Sequence, residues 1–290
     1  MPRASSLILQ ALLVMLLTGL TLGKAQAACL GDPKAAGIHE VHIVPQFPPS
    51  VLMAKWAPLL ELLGREARLC FELRIEPTIP AFEHALRSGQ PDFAFANPWH
   101  AVMARRAQGY LPLVVDHREQ LSGIVVVRSD SPIKDIRQLE SHEVAFPAPN
   151  AFAASLLIRS RLAQQGIRIQ PQYVKTHANV YRAVILGDAV AGGGVNNTLE
   201  RESPNVRAQL RILHETPGYT PHPFLAHPRV APALREAVIQ AFLRISRNEQ
   251  GLHLLNAVQI PEPTRSDYAR DFSSIEALQL ERFVVSNDSN

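Results

Sequence analysis

Four short stretches of the chain place hydrogen-bonding groups where the backbone is about to change direction. Asn97-Pro98-Trp99-His100 offers an amide, an aromatic plate and an imidazole in a row, groups that donate to the edge of a ligand and stack on its face. His177-Ala178-Asn179-Val180-Tyr181-Arg182 brings an imidazole, a phenol and a guanidinium to the start of a helix. Ser50, after Phe47-Pro48-Pro49, reads either as a plain helix cap or as a donor to a ligand. In Asn150-Ala151-Phe152-Ala153 the donors would be backbone: Asn150 caps a helix whose first amides, Ala151 to Ala153, carry the partial positive charge of a helix N-terminus. Groups of this kind hold a small anion without transforming it.

Bond-making chemistry has no comparable support. There is no G-x-S-x-G elbow, H-E-x-x-H pair or P-loop, and His39-Glu40-Val41-His42 falls one residue short of the zinc-protease spacing. No enzyme activity and no cofactor are therefore expected. His100, His177, His222 and His227 admit a metal-ion reading, because neutral imidazoles suit zinc, nickel or copper, but no two of them share the close spacing of a helical ligand pair. Gly192-Gly193-Gly194-Val195-Asn196-Asn197 lacks the dinucleotide-binding spacing; its glycines either let backbone approach a ligand or mark a structural bulge.

The elements that position these residues alternate between short apolar runs and helical patterns, the signature of crossovers onto a mostly parallel sheet. Val41 to Val44 reads as a strand leading to a helix from Ser50 to Arg68. A strand from Leu69 to Ile75, a helix from Pro80 to Ser88 and a strand from Asp92 to Ala96 follow. The helix after Asn97-Pro98 ends near Gly109, and two strand-like runs, Leu111 to Val115 and Gly123 to Arg128, come next. Beyond the turn Ser129-Asp130-Ser131-Pro132 the logic repeats: strand Glu143 to Phe146, helix Ala151 to Gln165, strand Tyr173-Val174, helix Val180 to Leu186, strand Ala189 to Val195. Leu210 to Ala226 is irregular and proline-rich, and Pro232 to Arg247 and Gln250 to Val258 read as C-terminal helices. The pattern implies two α/β lobes: residues 28–128, then 129–213, then a return at 214–290 that completes the first lobe. Two crossings of this kind make a hinge over a cleft.

Arg3, the apolar run Leu7 to Leu22 and Ala25-Gln26-Ala27 read as a cleaved secretory signal peptide over residues 1–27, which sends the protein out of the cytoplasm to an oxidising compartment, the periplasm if the family resemblance given below holds. Its removal leaves 27 basic against 26 acidic residues and no long basic block, so a nucleic-acid partner is not expected. Cys29 and Cys70 then remain, an even pair able to form one disulfide or to stand as two separate thiols; Cys29 is also a possible lipid anchor, although Gln26 stands where leucine is usual.

Six of these segments, in order, resemble the periplasmic solute-binding proteins of the phosphate/phosphite/phosphonate (PhnD-type) family of ABC importers. Phe82-Glu83-His84-Ala85-Leu86-Arg87-Ser88-Gly89-Gln90-Pro91-Asp92-Phe93-Ala94 is similar to one family step, Asn97-Pro98-Trp99-His100 stands at a ligand loop, and Val126 to Ile133 stands at a crossover. His177 with Ala183-Val184 and Gly187-Asp188 matches another step, in which the histidine faces the cleft. The resemblance implies a type II, two-lobed binding fold with the ligand between the lobes, and as partners a small oxyanion and an ABC permease at the inner membrane. A histidine kinase served by the same fold as a periplasmic receptor is the alternative, and a monomer is expected. In the family the turn that here reads Ala148-Pro149-Asn150-Ala151-Phe152-Ala153-Ala154 typically carries three hydroxyls that grip the anion, and all three are absent. At roughly 1.5–3 kcal/mol for each hydrogen bond to a charged group, that loss implies a different ligand or donors from elsewhere.

Overall fold

The computed structural model describes residues 29–285, and the expected signal peptide lies outside them. The chain opens with β1 (Leu30–Gly31), β2 (Ile38–Ile43), helix α1 (Pro49–Ala67), β3 (Cys70–Ile75), α2 (Ile79–Arg87), β4 (Phe93–Phe95), α3 (Pro98–Gln108) and β5 (Leu111–Asp116). α1 forms because its apolar residues recur at helical spacing: Leu52, Trp56, Leu59, Leu60, Leu63 and Ala67 are all buried along one face. α3 has proline at its first position and stops at Gly109, which takes the left-handed conformation at φ 75°.

β6 (Gly123–Arg128) begins a second sheet. It is followed by β7 (Glu143–Phe146), a π-helical turn (Phe152–Leu157) running into α4 (Ile158–Gln164), and β8 (Gln170–Tyr173). Then come α5 (His177–Leu186), β9 (Ala191–Val195), α6 (Asn196–Glu200), α7 (Pro204–Ala208) and β10 (Leu210–Glu215). The chain returns through β11 (Phe224–Ala226), α8 (Pro232–Ile245), α9 (Glu249–Ala257) and β12 (Pro263–Arg265).

The first sheet has the order β1-β3-β2-β4-β11-β5-β12 and the second the order β10-β6-β9-β7-β8. Parallel pairing is confined to β3-β2-β4 and to β9-β7-β8. The remaining ladders are antiparallel, so the sheets are mixed rather than mostly parallel. Much of the reason is the return chain: β10 and β11 lie in the stretch that reads as irregular, β12 follows where no element was read, and each enters its sheet against the direction of its neighbours.

The lobe boundary also moves. β6 pairs with β9 and β10, so the first crossing lies at 117–122, upstream of the expected position after Arg128. The turn after Arg128 is a surface turn of the second lobe, held by an exposed Arg128–Asp130 ion pair. The return crossing is 216–223, between β10 and β11. The two crossings pair with each other: Leu121 N–H donates to Tyr219 O at 2.8 Å and Tyr219 N–H to Leu121 O at 3.0 Å. A two-stranded hinge results.

Cys29 and Cys70 form a disulfide that ties β1 to β3, leaving Cys29 no thiol for a lipid anchor. Beside it Gly31, at φ 122°, lies so close to Gly64 of α1 that a Cβ on Gly31 would meet the Gly64 Cα at 2.6 Å. The largest hydrophobic cluster runs across both lobes: Phe152, Ala153, Leu156 and Val195 of the second pack with Trp99, Leu121 and Phe224 of the first and the hinge. The lobes are closed on each other. Among the described residues no helix is long and apolar enough to cross a membrane.

Candidate functional site

Five helices start around a cavity of about 70 Å³ between the lobes, because each strand that ends there feeds one. Phe47 approaches from the start of α1, Asn97 from α3, Ala151 to Ala154 from the π turn, Thr176 and His177 from α5, and Asn197 and Thr198 from α6. Helix N-termini point N–H groups and positive dipole ends at such a space. Among the described residues no aspartate or glutamate lines it, and Lys175 is the one lysine or arginine that does. The electrostatics favour an anion.

The π turn is the least satisfied of these helix ends. Ala151 is its cap residue, with φ −65° and ψ 116°, and offers no side-chain acceptor. Its carbonyl receives both Ser155 N–H at 2.9 Å and Leu156 N–H at 3.0 Å, the widened spacing of a π turn. No acceptor among the described residues receives the N–H groups of Phe152, Ala153 and Ala154. All three residues are buried, so those donors depend on whatever enters the cleft. The turn seats itself on two glycines: a Cβ on Gly123 would meet Ala153 O at 2.3 Å, and one on Gly193 would meet Ala154 O at 2.1 Å. The Gly192-Gly193-Gly194 run therefore makes room for the protein's own turn and for Val180 and Tyr181, not for a ligand.

α3 and α5 are capped differently. Asn97 Oδ1 accepts His100 N–H at 2.8 Å, and Thr176 Oγ1 accepts Asn179 N–H at 3.2 Å. His177 lines the cleft, with its Nδ1 buried and unpartnered. Burial pushes His177 down to about 4. His222, stacked on Phe95 at 5.5 Å, is pushed down to about 3 by burial and by the neighbouring His100 and His177. Both imidazoles are neutral at pH 7.

Of the side chains and amides named from the sequence as ligand-contact candidates, Asn97, Ala151, Phe152, Ala153 and His177 share the cleft. The others do not. Ser50 is exposed on the second position of α1, whose cap residue is Pro48. Trp99 is 4% exposed within the hydrophobic core, and its indole N–H has no partner. His100 is fully buried, its Nε2 lying 3.2 Å from the Glu83 carboxylate. The Asn97 amide nitrogen lies 3.3 Å from the same ring nitrogen. Arg182 is exposed on the outer face of α5, beside Glu202 and Val206. Tyr181 is buried behind the cleft, where its phenol, pushed up to about 12 by burial, donates to Thr198 Oγ1 at 2.7 Å; that hydroxyl in turn donates to Val195 O at 2.8 Å. Asn150 is not a helix cap. Its amide nitrogen donates to Glu83 at 3.0 Å and to Val285 O at 3.0 Å, and its oxygen accepts Val285 N–H at 2.9 Å.

Polar lining residues that were not anticipated include Gln46, Lys175, Thr176, Thr198 and Gln259. Gln46, Lys175 and Thr198 flank strand ends and were within reach of the strand-end rule. Gln259, held at φ 69° in the turn after α9, has no local signal. His222 does line the cleft, whereas His227 lies over Tyr110, away from it. Among the described residues no group of three or more His, Cys, Asp or Glu side chains could hold a metal ion.

Two α/β lobes, a paired double hinge and a closed anion-favouring cavity define a type II periplasmic binding protein, and solved structures share this fold. XAC2383 from Xanthomonas citri bound to chloride ion superposes with a TM-score of 0.76 at 18% identity, over 85% of this chain and 99% of that one. PhnD1 from Prochlorococcus marinus in complex with methylphosphonate gives 0.73 at 14% identity, over 84% and 98%. The aliphatic sulphonate binding protein SsuA from Escherichia coli gives 0.54 at 18% identity, over 85% and 86%. The family model described as ABC transporter, phosphonate, periplasmic substrate-binding protein matches residues 41–271. The chain belongs to that family, a family of periplasmic transport components rather than enzymes.

Proposed function

We propose that this protein captures a small oxyanion of the phosphonate class by its charged head group and hands the closed, loaded form to an ABC permease. The observation that carries the reading is the set of three open amides at Phe152, Ala153 and Ala154, buried and facing a cavity with no carboxylate on its walls. Backbone donors take the place of the missing hydroxyls. A ligand that touches these amides and the Asn97 and Phe47 side of the cleft at once gains both sets of contacts only when the lobes are shut, and so shifts the population toward closure. A phosphonate in one relative and chloride in another are consistent with a cleft built for anions.

Calorimetry with methylphosphonate, phosphate, sulfate and chloride tests this. At least one phosphorus oxyanion is expected to bind with a Kd below about 100 μM and to be displaced by the others in order of affinity. Absence of heat with all four at millimolar concentration would overturn the reading.

A further inference from the structure

After β12 the chain packs mainly on the first lobe: Leu280 is buried in the large cluster and Arg106 of α3 lies 3.7 Å from both Glu276 and Glu281, while Leu278 lines a depression with Leu157 and Ser160 of the second lobe. It then crosses the cleft boundary a third time. Residues Leu280–Phe283 form a 3₁₀ turn, and the carbonyl of Phe283 accepts from Arg159 Nη2 at 2.6 Å. Val285 pairs with Asn150 through both its N–H and its C=O, at 2.9 and 3.0 Å.

Arg159 and Asn150 also hold the loop that presents the open amides. The Arg159 guanidinium donates to Pro149 O at 2.6 Å and to Ser155 Oγ at 3.1 Å, bracketing Phe152 to Ala154 from both sides. Asn150 donates to Glu83, a carboxylate of the first lobe only 2% exposed, which His100 also serves. All three of the acceptors that Arg159 uses are neutral, and one belongs to the C-terminal segment. Parting the lobes would break the Asn150–Glu83 contact and, for a segment that stays with the first lobe, its bonds to Asn150 and Arg159 as well.

We propose that residues 280–285 are a latch that holds the loop Pro149–Ser155 against the first lobe, with Asn150 and Arg159 as positioning residues, so that ligand release requires the segment to detach. This rests on the reading of the Phe152–Ala154 amides as the anion site. The latch acts on the lifetime of the closed state: opening breaks contacts the hinge does not make, and interface contacts of this kind set dissociation more than association.

The test compares the full chain with a chain ending at Arg282, which keeps Leu280, and with Arg159→Lys, which keeps the charge but not the forked geometry. Stopped-flow with methylphosphonate is expected to show the dissociation rate rising about tenfold in the shortened chain and less in Arg159→Lys, with association changed less than about threefold. Small-angle scattering of the ligand-free proteins is expected to show the shortened chain more open. A lower melting temperature with an unchanged dissociation rate and unchanged scattering would mean a merely structural segment and would overturn the latch. If none of methylphosphonate, phosphate, sulfate and chloride binds the full chain, the anion reading fails alone, and the scattering comparison still decides the latch.

Discussion

α3 and the π turn open on the same cleft from opposite lobes, each directly after a β-strand, yet they treat their first amides in opposite ways. α3 gives one N–H to its own Asn97. The π turn has alanine at the same position and leaves three amides without an acceptor. A side-chain cap and a bound anion compete for the same donors, so a helix end that satisfies itself is a poorer anion site. A loop short of hydroxyls is therefore not short of donors. Burial makes the difference consequential, because an unsatisfied buried donor costs roughly 1–3 kcal/mol until something accepts from it.

The comparison breaks most directly if the π turn is given the cap that α3 has. In Ala151→Asp the carboxylate reaches the second or third amide and brings a built-in anion to a half-buried position at the cleft wall. Losing one or two donors and adding repulsion is expected to weaken phosphorus oxyanion binding by about 10²–10⁴-fold in calorimetry. The same substitution is expected to raise stability by about 1 kcal/mol in urea unfolding, since capping favours the helix. Weaker binding with lower stability would point to misfolding instead, and unchanged binding would remove the amides from the site.

This contrast also marks where the sequence was legible. β7 runs over Glu143–Phe146 as its apolar pattern predicts, and α3 spans the interval between Asn97 and Gly109 because cap, proline and glycine are all local signals. β11 and β12 have three residues each and take their conformation from their partners in the sheet, so proline-rich sequence hides them. At the site, position along a helix was readable but azimuth was not. Trp99 and His100 stand one and two residues past Pro98, yet both turn into the lobe, because Glu83 and the core lie on that side. Asn150 looks like a cap until Glu83, 67 residues away, and Val285, 135 residues away, claim its amide.

A second, smaller effect sharpens the electrostatic side of the comparison. His177 and His222 are held neutral by burial at about 4 and about 3, below the ordinary histidine value of 6.5. Without ligand, the unfolded chain takes up protons in the window between 6.5 and 4 that the folded chain refuses. Their contribution to stability is therefore complete above pH 6.5 and is lost as pH falls toward 4. A bound anion favours the protonated imidazole and raises both values, so affinity for sulfate or chloride, which do not titrate in this range, should rise by several-fold as pH falls from 8 to 5.5. His177→Phe is expected to flatten much of that slope in calorimetry repeated across the range. An affinity that falls on acidification would show that the histidines do not feel the ligand.

The smallest effect comes from stripping the cap that α3 already has. In Asn97→Ala the His100 N–H loses its acceptor, which is expected to cost about 1 kcal/mol and to lower the melting temperature by roughly 2–4 °C. The freed amide belongs to a helix end that opens on the cleft, while the lost side chain contributed one polar wall, so the two changes oppose each other in affinity. Binding should stay within about threefold of the parent, in contrast to the large loss in Ala151→Asp. The two variants thus move stability and affinity in different patterns: one gains a cap and loses the ligand, the other loses a cap and keeps it. A loss well beyond tenfold in Asn97→Ala would make the Asn97 amide a direct ligand contact. The division of labour would then be wrong, with the side chain of α3 serving the anion alongside the backbone of the π turn.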